Sequence, residues 1–257
     1  MKKINFVKAF FISIFKPGEY YNLIKESLVR AFIYMISITL ITGLISFTTP
    51  ARDYLDFINL IEDEVGNGFP EFTLYNGILD VKEKEPIIII KAKKPTIIID
   101  TSGETTESKL DEYDKCILIL KDKLFYKKSN INIDQATYDF FKWINLDKEK
   151  TQELLPKLKM GAYLIEFVTP VLMIVLNLFS AFIISLAGVI INALLRWPLK
   201  YRNIYKMSLY SITTGIILGA ILRFLNISLL FTNYIYLIIG FVYVFIAFKG
   251  VVINIED

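Results

Sequence analysis

The chain has 257 residues, 54% of them hydrophobic and only 21% charged, with a formal net charge of +3, no histidine and one cysteine. Without histidine there is no Ser-His-Asp or Cys-His nucleophile, no His-ligated zinc or haem, and no imidazole proton shuttle. With Cys116 alone there is no intramolecular disulfide, CxxC pair or thiolate cluster, and without a GxxxxGK[ST] loop or a GxGxxG fingerprint no cofactor is predicted.

Charge is unevenly laid along the chain. Residues 51–159 hold 17 Lys and Arg against 21 Asp and Glu, whereas the other 148 residues hold 12 against 5. A polar insert is therefore flanked by membrane-grade apolar segments. The basic surplus lies beside those segments and not on a soluble face, so the expected partner is the lipid bilayer, not nucleic acid.

Residues 1–28 place Ile4, Val7, Phe10, Phe11, Ile14 and Phe15 at helical spacing among Lys2, Lys3 and Lys8. This predicts an amphipathic helix, lying in the membrane interface or packed on the protein's own bundle, with a turn at Pro17-Gly18. No cleavage pattern follows, so a signal peptide is not expected. The first span covers 29–49, charge-free from Ala31 to Phe47, and Pro50 is expected to stop it. Before it, Lys2, Lys3, Lys8, Lys16, Lys25 and Arg30 outnumber Glu19 and Glu26, which orients the N-terminus to the cytoplasm and the insert to the outside.

The insert, 50–160, reads as an α+β domain. Asp53 to Val65 has helical spacing, and strands are predicted over Phe72 to Val81, Pro86 to Ile90, Thr96 to Asp100 and Cys116 to Leu120. Consecutive isoleucines at Ile87 to Ile90 and Ile97 to Ile99 predict strands covered on both faces. Asp134 is expected to cap a helix reaching Trp143 to Ile144, and Asp147 to cap another. Cys116 within its strand reads as a small buried thiol.

The apolar block from Tyr163 to Leu195 exceeds one perpendicular crossing. The segment after it, with Arg196, Lys200, Arg202 and Lys206 and no acid, belongs in the cytoplasm, so 161–195 must cross once, as a long tilted helix. A basic loop at 196–206, spans at 207–222 and 233–249, an outer turn at 223–232 and a cytoplasmic tail at 250–257 complete the chain. The expected fold is a membrane α-helical bundle of four transmembrane helices with an inserted extracytoplasmic α+β domain, in the plasma membrane with both termini cytoplasmic.

Four groups of residues stand out. Asp100-Thr101-Ser102-Gly103 looks like the hydrophobic-Asp-Thr-Gly signature of aspartic proteases, but Ser102 is extra and no second copy supplies the partner carboxylate. A strand ending in an Asx-type turn is favoured over catalysis, with ligand binding by Asp100, Thr101, Ser102 and Gly103 as an alternative. Glu166 and Arg223 fall at similar depth in the outer ends of two spans and are expected to form an ion pair. A polar path using Asn177, Asn192 and Asn226 and simple snorkelling are the rivals. Gly215 and Gly219 form a GxxxG for helix packing, within the bundle or between copies. Arg196, Lys200, Arg202 and Lys206, with Trp197, Tyr201 and Tyr205, make a collar that either binds anionic lipid head groups or anchors the helix ends.

The layout resembles the bacterial membrane proteins called domain of unknown function 1189. The resemblance rests on Phe10-Phe11-Ile12-Ser13-Ile14-Phe15-Lys16-Pro17, the large insert with its Ile97 to Gly103 turn, and the late helical block. It implies a Gram-positive setting, and because some members are labelled maltodextrin-utilisation proteins it implies a link to sugar uptake. Lys16-Pro17-Gly18-Glu19-Tyr20-Tyr21 also looks, more distantly, like the Yip1 type, from which the large insert departs. The resemblance implies no catalytic residues. A non-enzymatic binding, sensing or accessory protein is expected, its external domain meeting a ligand or a transporter or envelope partner. The alternatives are a lipid or solute carrier and a membrane-tethered hydrolase.

Overall fold

The computed structural model describes residues 4–66, 69–90, 94–130, 132–225, 227 and 232–256. Asn5 caps α1 (Phe6–Phe15) by accepting from the Lys8 amide at 2.8 Å. A 3-10 turn at Pro17–Glu19 leads into α2 (Tyr20–Leu23), and Ser27 caps α3 (Leu28–Ser46). Next comes α4 (Thr48–Gly66). Pro50 does not stop the first span. It sits in the first turn of α4, where its missing N–H removes little.

The strands are β1 (Phe72–Tyr75), β2 (Ile78–Val81), β3 (Ile87–Ile89), β4 (Thr96–Asp100), β5 (Cys116–Leu120), β6 (Lys123–Ser129), β7 (Asn132–Thr137) and β8 (Leu146–Asp147). Asp147 then caps α5 (Lys148–Leu158), accepting from the Lys150 amide at 2.9 Å as expected. After α6 (Met160–Tyr163) a π-helical stretch, Leu164–Val168, leads to α7 (Thr169–Leu194). The chain ends with α8 (Tyr201–Ser211), α9 (Thr213–Phe224) and α10 (Thr232–Glu256). It divides into two compact units, Asp53–Ala162 and the two flanking segments together.

In the Asp53–Ala162 unit, one sheet has the order β3-β4-β5-β6-β7 and a smaller one the order β2-β1-β8. Among the described residues only β4 and β5 pair in parallel. Ile97, Ile99, Ile117 and Ile119 face a core with Leu60, Phe72 and Leu79, while Ile98, Cys116 and Leu118 face Leu110 and Phe125. Both faces of the central pair are thus covered, which is why its residues are apolar at consecutive positions. Burial raises the Cys116 thiol to about 11, an inert side chain as expected.

Two expectations for this unit change. The run from Phe72 to Val81 is a hairpin, because Asn76 and Gly77 both adopt positive φ (53° and 74°) and close a two-residue turn. Asp134 caps no helix but lies in β7, opposite Tyr126, where it pairs with Lys128 at 2.9 Å. The open edge of β6 demands a partner strand, and that tertiary pairing overrides a local capping signal.

Among the described residues four helices are long and apolar enough to cross a membrane, within Leu28–Gly66, Lys148–Leu194, Tyr201–Phe224 and Tyr234–Ile253. In the helical unit Tyr20, Met35, Ile184, Ile204, Met207 and Phe248 form a buried core. Along α7, Leu172, Val175, Leu176 and Phe179 are apolar yet exposed, as a helix surrounded by lipid requires. Of the two alternatives for α1, packing on the bundle is seen: Ala9, Ile12 and Ser13 are buried there, while Val7, Phe11 and Phe15 stay exposed. Tyr20 and Tyr243 hold the end of α1 by donating to the Ser13 and Ile14 carbonyls, each at 2.8 Å.

The third long helix begins at Tyr201, inside the expected loop, and breaks only at Ile212. Burial of Ile204 and Met207 accounts for the earlier start. The fourth continues through the expected tail, with Val251 fully buried.

Candidate functional site

The Asp100 turn is built from the end of β4. Asp100 is 1% exposed, and its carboxylate accepts from the Ser102 amide and hydroxyl and, at 2.9 Å, from the Thr105 amide. Gly103 allows the reversal with φ 91°. Thr101 donates its amide and hydroxyl to the Glu85 carboxylate, both at 2.6 Å. Burial pushes the Asp100 carboxyl upward, but the bonds from Ser102 and Thr105 outweigh it and hold the group below the usual carboxylate range.

Asp100 and Ser102 thus bond within the turn and Thr101 bonds Glu85, the closed geometry of the Asx-type turn favoured from the sequence. Among the described residues no carboxyl group hydrogen-bonds Asp100, and no cluster of acids could hold a metal.

The helical unit contains a cavity of about 240 Å³ between α3, α7, α9 and α10. Its walls carry Thr39 and Thr42 from α3, Asn177 and Ser180 from α7, and Arg223 and Tyr236. The Asn177 side-chain amide donates to the Thr39 hydroxyl at 3.0 Å, which puts one residue of the expected polar path at the cavity. Asn192 lies elsewhere and donates to the Leu199 carbonyl, and Asn226 falls outside the described residues.

Arg223 does not pair with Glu166. Its Nε donates to the Ser46 hydroxyl at 3.3 Å, and its guanidinium lies 5.0 Å above the Phe47 ring. Among the described residues it has no acidic partner, and neither does Glu166. Glu166 lies half-buried in the π-helical stretch Leu164–Val168.

Gly215 and Gly219 serve packing inside the unit. A Cβ at either would lie 3.1 Å from Tyr236 of α10, and one at Gly219 would also lie 3.2 Å from the Arg223 guanidinium. The GxxxG thus seats Tyr236 and leaves room for the cation.

The basic collar divides. Arg196, Lys200 and Arg202 are exposed, but Lys206 is buried and donates to the carbonyls of Ile24 and Glu26. It satisfies the open carbonyls beyond α2 and is unavailable to lipid head groups. Trp197 packs on Phe248 with ring centroids 5.3 Å apart. The sequence carried no signal for the burial of Lys206, because its partners lie far away along the chain.

No curated protein and no solved structure matches the chain. A family model described as "Protein of unknown function (DUF1189)" matches residues 7–248, from α1 through most of α10, and the chain belongs to that family.

Proposed function

We propose that the chain is a non-enzymatic, multi-pass plasma-membrane binding protein that holds a small ligand within its helical unit. The cavity of about 240 Å³, walled by Arg223, hydroxyls and an amide and by no acidic residue, carries this reading. Charge asymmetry supports cytoplasmic termini and an external Asp53–Ala162 unit. That unit offers a partner the side chains of Phe140 and Trp143, 82% and 94% exposed, which fits an accessory or sensing role beside a transporter or envelope protein.

The test is native mass spectrometry of the full chain extracted in neutral detergent. A stoichiometric small molecule is expected to co-purify, and to be lost when Thr42→Phe fills the cavity. An empty protein that also takes up no added lipid or anion would end the reading. Membrane-impermeant maleimide added to intact cells should label Glu104→Cys while sparing buried Cys116.

One observation favours a carrier as the second reading. The third long helix is interrupted at Ile212, a residue that lines the cavity, and interrupted spans beside a central site are common in secondary transporters. Ligand flux across reconstituted vesicles would separate carrier from binder.

A further inference from the structure

Opposite walls of the cavity differ in a way that selects a ligand. On one side, Arg223 uses one of its five N–H donors on Ser46 and has no carboxylate partner among the described residues. An arginine half-withdrawn from water among apolar helices is disfavoured unless an anion meets it. On the other side, Leu176 and Phe179 line the same cavity yet are 58% and 61% exposed. The cavity therefore opens on the apolar flank of α7, where a lipid chain would lie.

Volume narrows the choice further. A space of about 240 Å³ equals roughly eight waters of liquid. It can enclose a head group and a few methylenes but not a whole lipid, so any longer chain must leave through that opening. A small soluble anion would satisfy Arg223 and make no use of the apolar mouth.

We infer that the cavity takes an anionic amphiphile, its acid group held by Arg223 and its hydrocarbon chain passing between Leu176 and Phe179 into the bilayer. This rests on the binding function proposed above and names its ligand class. Asn177, with one amide N–H beyond its bond to Thr39, and the Tyr236 hydroxyl line the same cavity as further donors for the acid's oxygens.

The test titrates delipidated full-length protein in neutral detergent, read by native mass spectrometry. The probes are dioleoylphosphatidylglycerol, dioleoylphosphatidylcholine and inorganic phosphate. One phosphatidylglycerol should bind about tenfold or more tightly than phosphatidylcholine, as a charge-assisted contact predicts, and phosphate should not displace it. Arg223→Gln should remove the preference. Replacing exposed Arg196, Lys200 and Arg202 together by Gln should keep it, separating the cavity from the collar. If Arg223→Gln does not fold, Thr42→Phe should abolish the bound lipid.

Equal affinity for the two lipids, or a preference that survives both the Arg223 and the Thr42 changes, would overturn the anionic class. Displacement by phosphate would overturn the amphiphile in favour of a soluble anion. Protein that binds none of the three probes and carries nothing on extraction would remove the binding function itself.

Discussion

The two units treat a charge withdrawn, wholly or in part, from water in opposite ways. In the Asp53–Ala162 unit, Asp100 is enclosed by donors from its own next five residues, so its charge is balanced by local backbone geometry. In the helical unit, Arg223 is held at the end of α9 by one hydroxyl and one aromatic face from a distant segment, with no acidic partner among the described residues. A charge satisfied by its neighbours in sequence stabilises a turn. A charge satisfied only in part, at the wall of a cavity, is available to something else. The same comparison separates Lys206 from Arg223, since Lys206 has two carbonyls to itself.

The largest effect expected from disturbing this arrangement is at Gly219. Gly219→Leu forces a side chain against Tyr236 and Arg223, and should cost about 3 kcal/mol or more of the helical unit's stability, seen as a lower melting temperature in detergent. Unchanged melting would mean that the close approach of α9 and α10 is not needed.

Asp100→Ala comes next, at about 2–3 kcal/mol, because the Ser102 and Thr105 amides lose their acceptor. The loss should appear as faster hydrogen exchange within residues 97–120, with exchange in α7 and α9 unaltered. Spread into the helical unit would break the comparison. The folded carboxyl lies below its unfolded value of about 3.9, so its contribution is present above that pH and disappears as pH falls through the lower, folded value. Asp100→Asn should therefore flatten the acid limb of the same exchange profile.

Lys206→Met should be milder, near 1 kcal/mol. It removes a charge-assisted bond to the Ile24 and Glu26 carbonyls but relieves the burial of an ammonium. Protease sensitivity after residue 24 is the sensitive readout. The smallest effect belongs to Glu166→Gln, within about 0.5 kcal/mol, because Glu166 has no ion-pair partner among the described residues. A charge swap of Glu166 and Arg223 should accordingly give no rescue of an Arg223→Glu protein.

Much of the fold is legible in local patterns. The long apolar runs, the consecutive isoleucines of β4 and the Asp147 cap each carry their cause within a few residues. The hairpin at Asn76-Gly77 was legible too, since that pair is the standard signal for a two-residue turn, but it was absorbed into one strand. Pro50 and Asp134 misled because each marks a local possibility, a break or a cap, that the next element decides. At the candidate site, Arg223 and Asn177 were visible as polar residues in apolar spans. The cavity that joins them to Thr39, Thr42 and Tyr236 was not, because it depends on the rotation of four helices about their axes.

The sequence by itself determined that four helices would be long and apolar enough for a membrane, and that a polar α+β unit would interrupt them. Hydropathy, length and charge balance act additively along a chain, so they can be read without coordinates. Only the tertiary structure decided which face each helix turns inward. It left Glu166 and Arg223 unpaired with each other, buried Lys206 against carbonyls about 180 residues earlier in the chain, and left Arg223 at a cavity wall. Such outcomes depend on angular register and on contacts between distant segments, and both are settled when the helices pack.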